Sequence, residues 1–260
     1  MTPKLQILSI ANQKGGVGKT TTTMNVGAAL AKLGARVLLV DNDPQANLTR
    51  YLGVDEPART IDELYLSKRP LSQATLQEWL QPTDEGVSLI AGDRSLSGVE
   101  YALMTRPDRE RILGRALQTL ENQFDYILID NAPSLNLLTL NAFVASHSIL
   151  IPVHLEFFSL EGIVKIKETL EDIQSRYNPN LKILGVLPSQ VRARRKLSSE
   201  VKQLLLEHLG TAVFQSEISD QAAIAESSGH GRSMFRYKSR SSGAREYLAL
   251  AQEIQERTAL

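Results

Sequence analysis

A segment rich in lysine and glycine near the beginning of the chain contains the residue types that bind phosphate. It reads Lys14-Gly15-Gly16-Val17-Gly18-Lys19-Thr20-Thr21, and Gln13 occupies the position of the first glycine of the standard G-x-x-x-x-G-K-[ST] loop. Glycines let backbone N–H groups turn inward around an anion, and a helix that begins near Lys19 directs the positive end of its dipole at the same point. We predict that Lys19 contacts the β- and γ-phosphates of a nucleotide and that Thr20 binds Mg²⁺ through its hydroxyl group. A glycine-rich turn without a ligand is the alternative.

Lys14 is an additional cation in this loop. It lies too far round the loop to duplicate the role of Lys19 in the same site. One interpretation is a solvated lysine without a role, and the other is a contact with a nucleotide held by a second subunit.

Three aspartates at the ends of apolar segments supply the second part of a hydrolytic site. Asp41 and Asp43 stand at positions i and i+2 where a predicted strand ends, which is where an open α/β sheet binds its ligands. Capping of the following turn is the alternative role for these two residues. Asp130 ends the apolar segment 126–130, a pattern typical of the Walker B carboxylate that holds Mg²⁺ directly or through water. A buried strand ending in aspartate is common, but the nearby phosphate loop favours the metal role.

A basic region follows in the last third of the chain. Residues 182–245 carry 11 basic and 5 acidic side chains, whereas residues 1–181 carry 17 and 21, and residues 246–260 carry 1 and 3. Aromatic residues are sparse there, which favours sequence-independent contact with phosphates over base stacking. A solvated basic face is the alternative. The candidate DNA-binding residues are Arg192, Arg194, Arg195, Lys196, Arg232, Arg236, Lys238 and Arg240.

The elements that must position these residues alternate along the chain. Apolar, mostly continuous segments predict strands at 5–11, 36–41, 87–91, 126–130, 148–153 and 182–187, with a weaker one at 212–214. Helix-length segments at 19–33, 109–122, 135–145, 160–177 and 198–209 lie between them. This order predicts an α/β fold, a doubly wound and mostly parallel sheet with helices on both faces and right-handed crossovers. We expect one domain over residues 1–260.

The composition excludes several classes of protein. The chain has no cysteine, so it has no disulfide framework and no cysteine-held zinc or iron–sulfur centre. Its 29 basic and 29 acidic residues argue against a protein coated with nucleic acid by bulk electrostatics alone. No apolar run approaches the length of a membrane span and no signal-peptide layout is present, so we expect a cytoplasmic protein.

Three motifs together resemble the ParA/MinD family of deviant Walker A ATPases. Residues 12–21 are similar to its deviant Walker A box, most of all to that of the ParA (Soj-like) branch. Residues 41–45 (Asp-Asn-Asp-Pro-Gln) are similar to its D-x-D-P-Q box. Residues 130–135 are similar to D-x-P-P-S-L, with Ala132 in place of the first proline. The resemblance extends over nearly the whole chain, although the last quarter fits less well.

The resemblance implies the P-loop NTPase fold, an ATP-dependent homodimer, and ATP and Mg²⁺ as cofactors. Lys14 then reaches the phosphates in the partner subunit, Asp43 positions the attacking water, and Asp41 belongs to the outer shell of the metal. Hydrolysis is expected to be weak without a stimulating partner protein, since no arginine finger can be assigned. The implied catalytic residues are Lys14, Lys19 and Asp43, and the implied metal residues are Thr20, Asp130 and Asp41. The implied nucleotide-binding residues are Lys14, Gly15, Gly16, Val17, Gly18, Lys19, Thr20, Thr21 and Gln221.

Departures from the family pattern concentrate near the expected nucleotide base. Ser219 and Gln221 replace a proline and an asparagine that the family places near adenine, and Asp220 and Ala223 replace two arginines. Arg194 matches an arginine that the family uses to contact DNA. The additional arginines of the candidate set predict a relocated DNA-binding surface.

The function implied is that of a spatial organiser. An ATP-bound dimer binds nucleoid DNA non-specifically, and a ParB-like or other adaptor protein on the cargo triggers hydrolysis. The cargo is a plasmid, a chromosome or a protein compartment such as a carboxysome. The alternative, a MinD-like membrane-associated positioning ATPase, requires a basic amphipathic helix near the C-terminus, whereas residues 246–257 carry three acids and one base. We therefore expect a nucleoid-associated protein without membrane contact. An electron-transfer relative of the nitrogenase iron protein type is excluded because it requires cysteine ligands.

Overall fold

A single sheet of seven strands forms the centre of the computed structural model within its described residues, which are 4–69, 71–155, 159–192 and 196–259. The strand order is β3-β4-β2-β5-β1-β6-β7. Every neighbouring pair is parallel except β3 and β4. The strands are β1 (Gln6–Ile10), β2 (Val37–Asn42), β3 (Gln81–Pro82), β4 (Ser88–Ile90), β5 (Tyr126–Asn131), β6 (Ser148–His154) and β7 (Lys182–Ser189). The prediction of a doubly wound, mostly parallel sheet is confirmed.

Helices connect the strands and cover both faces of the sheet. Those of the first half are α1 (Lys19–Lys32), α2 (Asn47–Tyr51), α3 (Ile61–Leu66), α4 (Gln73–Leu76), α5 (Leu96–Leu103) and α6 (Ile112–Gln118). Those of the second half are α7 (Leu137–Ala145), α8 (Ser159–Arg176), α9 (Lys196–Leu209), α10 (Ala222–Gly229), α11 (Met234–Tyr237) and α12 (Ser242–Ala259).

The central strands are apolar on both sides, as expected of a sheet between two helical layers. All six residues of β2 are buried. Successive residues alternate between the layers: Leu39 packs in the core under α1 and α12, whereas Leu38 and Val40 pack in the core under α3, α5, α6 and α7. The observed register of β1, β2 and β5 sets the positions of the residues at the ends of these strands.

Two of the predicted elements differ in the structure. The predicted strand 212–214 is a 3-10 turn, Gly210–Ala212, followed by a single bridge between Val186 and Val213. The guanidinium of Arg257 donates to the carbonyl oxygens of Leu184 and Val213 at 3.1 and 2.9 Å, and it thereby occupies acceptors that a longer ladder needs. The predicted helix 109–122 is a 3-10 turn, Arg109–Arg111, followed by the shorter α6.

Candidate nucleotide-binding site

The candidate site lies where three neighbouring parallel strands end. In the sheet register, Asp130 of β5 is the partner of Ile10 on one side and of Asp41 on the other. The glycine-rich loop follows β1, so this register brings the loop and both aspartates to one edge of the sheet. The carboxyl edge of an open α/β sheet is the usual place for a ligand.

The loop backbone has the conformation that its glycines permit. Gly16 and Gly18 have φ angles of 75° and 86°, in the left-handed region that glycine adopts without steric cost. Asn12 fixes the entrance to the loop, because its Oδ1 accepts from the N–H of Lys14 at 3.0 Å and its Nδ2 donates to the carbonyl of Pro152 at 2.7 Å. The side chain of Asn12 therefore fixes the conformation in which the chain enters the loop.

Two polar residues that the sequence did not indicate hold the other side of the loop. The hydroxyl of Ser189 donates to the carbonyl of Val17 at 2.8 Å, and the Nε2 of Gln190 donates to the carbonyl of Gly16 at 2.7 Å. Both lie at the end of β7. Their position after an apolar strand at the same sheet edge is the signal that could have identified them.

The two lysines of the loop have different surroundings. Lys19 is buried, and its Nζ donates to the carbonyl of Lys14 at 3.2 Å. Burial lowers the pKa of Lys19, while the negative charges of Asp130 and Asp43 oppose that change. The side chain of Lys14 is exposed at the surface. Lys19 thus faces the interior of the site and Lys14 its outer side.

Asp130 has the properties of a cation ligand. It is fully buried, and its Oδ1 accepts from the hydroxyl of Thr23 at 3.3 Å, while the nearby side chain of Thr20 acts to lower its pKa. Its Oδ2 is buried without a hydrogen-bond partner among the described residues. Burial, followed by the charge of Asp41, raises the pKa of Asp130 well above its ordinary value. A carboxylate oxygen beside a threonine hydroxyl suits Mg²⁺, so the residues present fit this ion.

Asp41 is buried in the same cluster but its oxygens are used within the protein. Oδ2 accepts from the N–H of Thr49 at 2.8 Å and from its hydroxyl at 2.7 Å, and Oδ1 accepts from the N–H of Asp43 at 3.4 Å. Burial raises the pKa of Asp41 to about 6. These contacts favour a place outside the direct coordination shell of the metal.

Gly92 and Thr49 support Asp41 and were not indicated by the sequence. The N–H of Gly92 donates to the hydroxyl of Thr49 at 2.8 Å. A Cβ atom at position 92 would lie 2.8 Å from Cγ and 2.9 Å from the carbonyl oxygen of Asp41, so this position requires glycine.

Asp43 is buried and contributes negative charge to the environment of Lys19 and Asp130. Its Oδ1 also accepts from the N–H of Gln45 at 2.9 Å. The turn-capping role considered from the sequence is therefore present, and it holds the carboxylate beside the phosphate loop.

A cleft of about 280 Å³ continues from the loop toward the last third of the chain. Gly18, Thr21 and Gln221 line it together, so the structure brings the predicted base-contacting residue to the phosphate loop. The Nε2 of Gln221 lies 3.2 Å from a carboxylate oxygen of Glu246, which also accepts from the hydroxyl of Ser219 at 2.6 Å. Glu246 thus ties together the two residues that depart from the family pattern.

Three of the candidate DNA-binding residues are paired with carboxylates. Arg192 pairs with Asp220, Arg236 with Asp84 at 2.9 Å, and Lys238 with Glu226 at 3.3 Å. Within the described part of the chain, Arg232 and Arg240 are exposed and form no ion pair. Arg194 and Arg195 lie outside the described residues, and Lys196 begins α9 with a side chain that is not described. Among the described residues, none of the helices combines the length and the hydrophobicity that a transmembrane span requires.

Known proteins resemble this chain over nearly its whole length. The AAA_31 family, described as an AAA domain, matches residues 5–183. The chain is 37% identical over 254 residues to the chromosome partitioning protein ParA of Caulobacter vibrioides, covering 96% of this chain and 94% of the relative. It is 39% identical over 250 residues to the sporulation initiation inhibitor protein Soj of Bacillus subtilis, covering 96% and 98%.

A solved structure extends this similarity to three dimensions. The structure described as cobyrinic acid a,c-diamide synthase of Mycobacterium smegmatis, with bound ATP analog and magnesium, superposes with a TM-score of 0.82. It is 35% identical, and the match covers 95% of this chain and 93% of that one. The predicted family is confirmed: the chain belongs to the ParA/MinD family of ATPases.

Proposed function

We propose that this chain binds Mg-ATP, dimerises around it, and uses its hydrolysis to control binding to DNA and thereby position a cargo. The observation that carries the proposal is the cluster of buried Lys19, half-buried Thr20 and buried Asp130, in which one carboxylate oxygen lacks a protein partner among the described residues. The identity to ParA and Soj proteins supports the partition role.

The nucleotide is held by the loop and the adjacent cleft. Backbone N–H groups of residues 16–21 surround the phosphates, Lys19 neutralises their charge, and Gln221 lies beside the base. Thr20 and Asp130 hold Mg²⁺, which when bound neutralises charge that develops on the phosphate oxygens. The M. smegmatis structure with ATP analog and magnesium supports this assignment.

Hydrolysis requires an oriented water and a completed set of cations. The buried carboxylate of Asp43 lies in the charge cluster and orients the water. The exposed Lys14 supplies its ammonium group to the nucleotide of the partner subunit. Positioning and charge stabilisation are what phosphoryl transfer mainly asks of a protein.

DNA binding rests on the arginine and lysine residues that follow β7. It is sequence-independent and depends on ATP, and a ParB-like or other adaptor protein on the cargo stimulates hydrolysis and release. Nucleoid association and the cargo remain parts of this proposal. A membrane-associated role has less support, because the apolar residues Tyr247, Leu250 and Ile254 of α12 are buried in the core beside α1.

Light scattering with Mg-ATP tests the dimer. The Asp43→Ala protein is expected to form a stable dimer, because it binds ATP without hydrolysing it, whereas Lys14→Ala is expected to stay monomeric. Lys19→Ala serves as the control that fails to bind ATP. A Lys14→Ala protein that dimerises as the wild type does would show that Lys14 has no role across the interface.

Retention of the Asp43→Ala protein on immobilised DNA tests the proposed ATP-dependent binding to DNA. Retention should require ATP and should fall steeply with salt, since each phosphate contact releases bound counterions. Retention without nucleotide, or without salt dependence, would count against it.

A further inference from the structure

A groove between α5, α7 and α8 carries apolar side chains that are unusually exposed. It has a volume of about 640 Å³, and its walls include Leu137, Leu140 and Ile173. Tyr101 and Met104 at its edge are 80% and 64% exposed. Large apolar side chains that converge on one concave surface are typical of a protein interaction site.

One carboxylate in this groove has an unmet hydrogen-bonding requirement. Oε1 of Glu100 is buried without a hydrogen-bond partner among the described residues. The other two acids of the groove are already engaged, since Glu110 pairs with Arg109 at 3.2 Å and Asp172 pairs with Arg176 at 2.8 Å. Glu100 as a whole is half-buried and lines the groove, so its carboxylate is open to a cation that a bound ligand brings into the groove, and such a pairing would satisfy it.

The groove is also joined to the nucleotide site through the start of α7. Leu135 and Asn136 line the groove and follow Asp130 by five and six residues. The Nδ2 of Asn42 donates to the carbonyl of Leu138 at 3.0 Å and to Oδ1 of Asn131 at 3.1 Å. Asn42 stands between Asp41 and Asp43 in the chain. A ligand in the groove therefore contacts the segment that leads from the site.

We infer that this groove is the docking site of a segment of a partner protein that presents two or three apolar side chains and one lysine or arginine. The apolar side chains cover Tyr101, Met104 and Leu135, and the cation pairs with Glu100. A helix laid into a groove, with anchors at i, i+3 or i+4 and i+7, has this geometry. The inference rests on the proposed function and names the surface through which a stimulating partner acts.

A second copy of this chain fits the groove less well. A two-fold interface brings the same patch of both subunits together, so a concave surface would face its own copy. The groove is lined by three carboxylates (Glu100, Glu110 and Asp172) and one guanidinium (Arg109), so two copies would bring together surfaces with the same excess of negative charge. Charge complementarity thus favours a basic segment from another protein.

Selection from a displayed random peptide library tests the inference even while the partner is unidentified. Peptides of about 16 residues, roughly four helical turns, are selected on the wild-type protein, with counter-selection on a Tyr101→Ser/Met104→Ser variant. Both replaced side chains are exposed, so the variant is expected to fold. The expected consensus has apolar residues at helical spacing and a lysine or arginine. No enrichment, or a consensus without a basic residue, would overturn the inference.

Fluorescence anisotropy with a selected peptide isolates the contact to Glu100. The Glu100→Gln change is expected to weaken binding about tenfold, which is typical of a lost charge pair. Replacing the basic residue of the peptide by methionine should weaken binding to the wild type but not to Glu100→Gln. Glu100→Gln is expected to unfold at the same temperature as the wild type or higher, since it removes an unpaired charge. Equal affinity of the peptide for both proteins would contradict the contact.

Two further measurements separate this inference from the proposed function. If the wild type binds the peptide but shows no ATP turnover, the proposed function fails while the docking site stands. If the wild type hydrolyses ATP and no peptide is enriched, the docking inference is wrong while the proposed function stands. If the Tyr101→Ser/Met104→Ser variant loses ATP-dependent dimerisation, the groove is a contact between copies and the inference is wrong.

Discussion

Asp41 is held in place by a chain of hydrogen bonds that passes through one threonine. The N–H and hydroxyl groups of Thr49 both donate to the buried carboxylate, and the hydroxyl accepts from the N–H of Gly92. Because Thr49 and Asp41 are both buried, no water replaces a lost donor at low cost. The position of a charged group in the site thus depends on a residue that contacts no phosphate.

Thr49→Val is expected to lower the free energy of unfolding by about 2–3 kcal/mol, because valine keeps the shape but removes one donor to the buried carboxylate of Asp41 and the acceptor of the buried N–H group of Gly92. Urea denaturation measures the change in the free energy of unfolding. The rate of ATP hydrolysis measures the effect of the substitution on the site. Thr49→Ser keeps the hydroxyl and is the matched control, expected to retain turnover. Equal stability of the valine and serine variants would contradict the role assigned to the hydroxyl.

The residues proposed to contact the ligand were identified from the sequence, and those that hold them in place were not. Lys19, Thr20 and Asp130 are of residue types that phosphate and Mg²⁺ require, and each stands at the end of an apolar strand or the start of a helix. Ser189 lies 172 residues from Val17, whose carbonyl it binds. Such a contact forms only when β7 pairs with β6 in the folded sheet, so no local sequence pattern predicts it.

At the scale of elements, two of the strands that lead to the site extend one residue beyond the prediction, whereas β1 ends one residue earlier than predicted. Apolar runs predicted ends at residues 41 and 130, whereas β2 and β5 end at Asn42 and Asn131. These two asparagines are register partners and bond to each other, and Asn42 also accepts from the hydroxyl of Tyr65 at 2.9 Å. Polar residues continue a buried strand when each finds a partner, which hydropathy alone does not show.

The packing of α1 on β2 sets the direction in which the phosphate loop enters its helix. A Cβ atom at Gly27 would lie 2.6 Å from a methyl group of Leu39. Gly27→Ala is therefore expected to destabilise the protein by about 1–3 kcal/mol, as overpacking of a core does. Urea denaturation measures the change.

Gly98→Ala is the matched control for that substitution. Gly98 is an exposed residue of α5, and a Cβ atom there meets nothing within 4 Å. The control is expected to be neutral or to stabilise by about 0.5–1 kcal/mol, because alanine favours a helix over glycine. Destabilisation of both variants to the same degree would show that the tight contact at Gly27 is not the cause.

The starts of β2 and β5 are joined by an ion pair whose effect depends on pH. The carboxylate of Asp125 accepts from the N–H and the guanidinium of Arg36, and that guanidinium lowers the pKa of Asp125 below its ordinary value. The stabilisation is therefore complete above the unfolded pKa of about 4 and is lost as the pH falls through the lower folded pKa.

Asp125→Asn is expected to lower the free energy of unfolding by about 1–2 kcal/mol near pH 7, because it weakens charge-assisted hydrogen bonds. The difference from the wild type should shrink toward pH 3, below the ordinary pKa of aspartate, because there the unfolded wild-type chain binds a proton at Asp125 and the folded chain resists doing so. Urea denaturation at both values checks this. A difference that stays constant with pH would show that the charge of Asp125 does not contribute.

At the scale of the whole molecule, the balanced net charge conceals local pairing. Within residues 182–245, Asp220 and Glu226 pair with Arg192 and Lys238, and Asp84, which lies outside that range, pairs with Arg236 and so reduces the basic excess. Asp84 comes from the connection between β3 and β4, which is distant in sequence, so counting charges along the chain did not show this neutralisation. A surface of this kind would attract DNA weakly, which agrees with the proposed release of DNA when ATP is hydrolysed.

Removing the offsetting carboxylates should therefore strengthen DNA binding. For Asp84→Asn combined with Glu226→Gln, in the Asp43→Ala background with ATP, we expect an affinity gain of about twofold to fivefold per carboxylate, since a unit charge at 4–10 Å in water contributes about 0.4–1 kcal/mol. Titration of labelled duplex DNA at several salt concentrations measures the gain, which should shrink as salt screens the charges.

Asp108→Asn is the control. It removes one negative charge from the ion pair between Asp108 and Arg115, which lies outside the basic region, and is expected to leave DNA affinity unchanged. If the control gains as much affinity as the double variant, DNA responds to net charge alone, and the arginine and lysine residues after β7 do not form the binding surface.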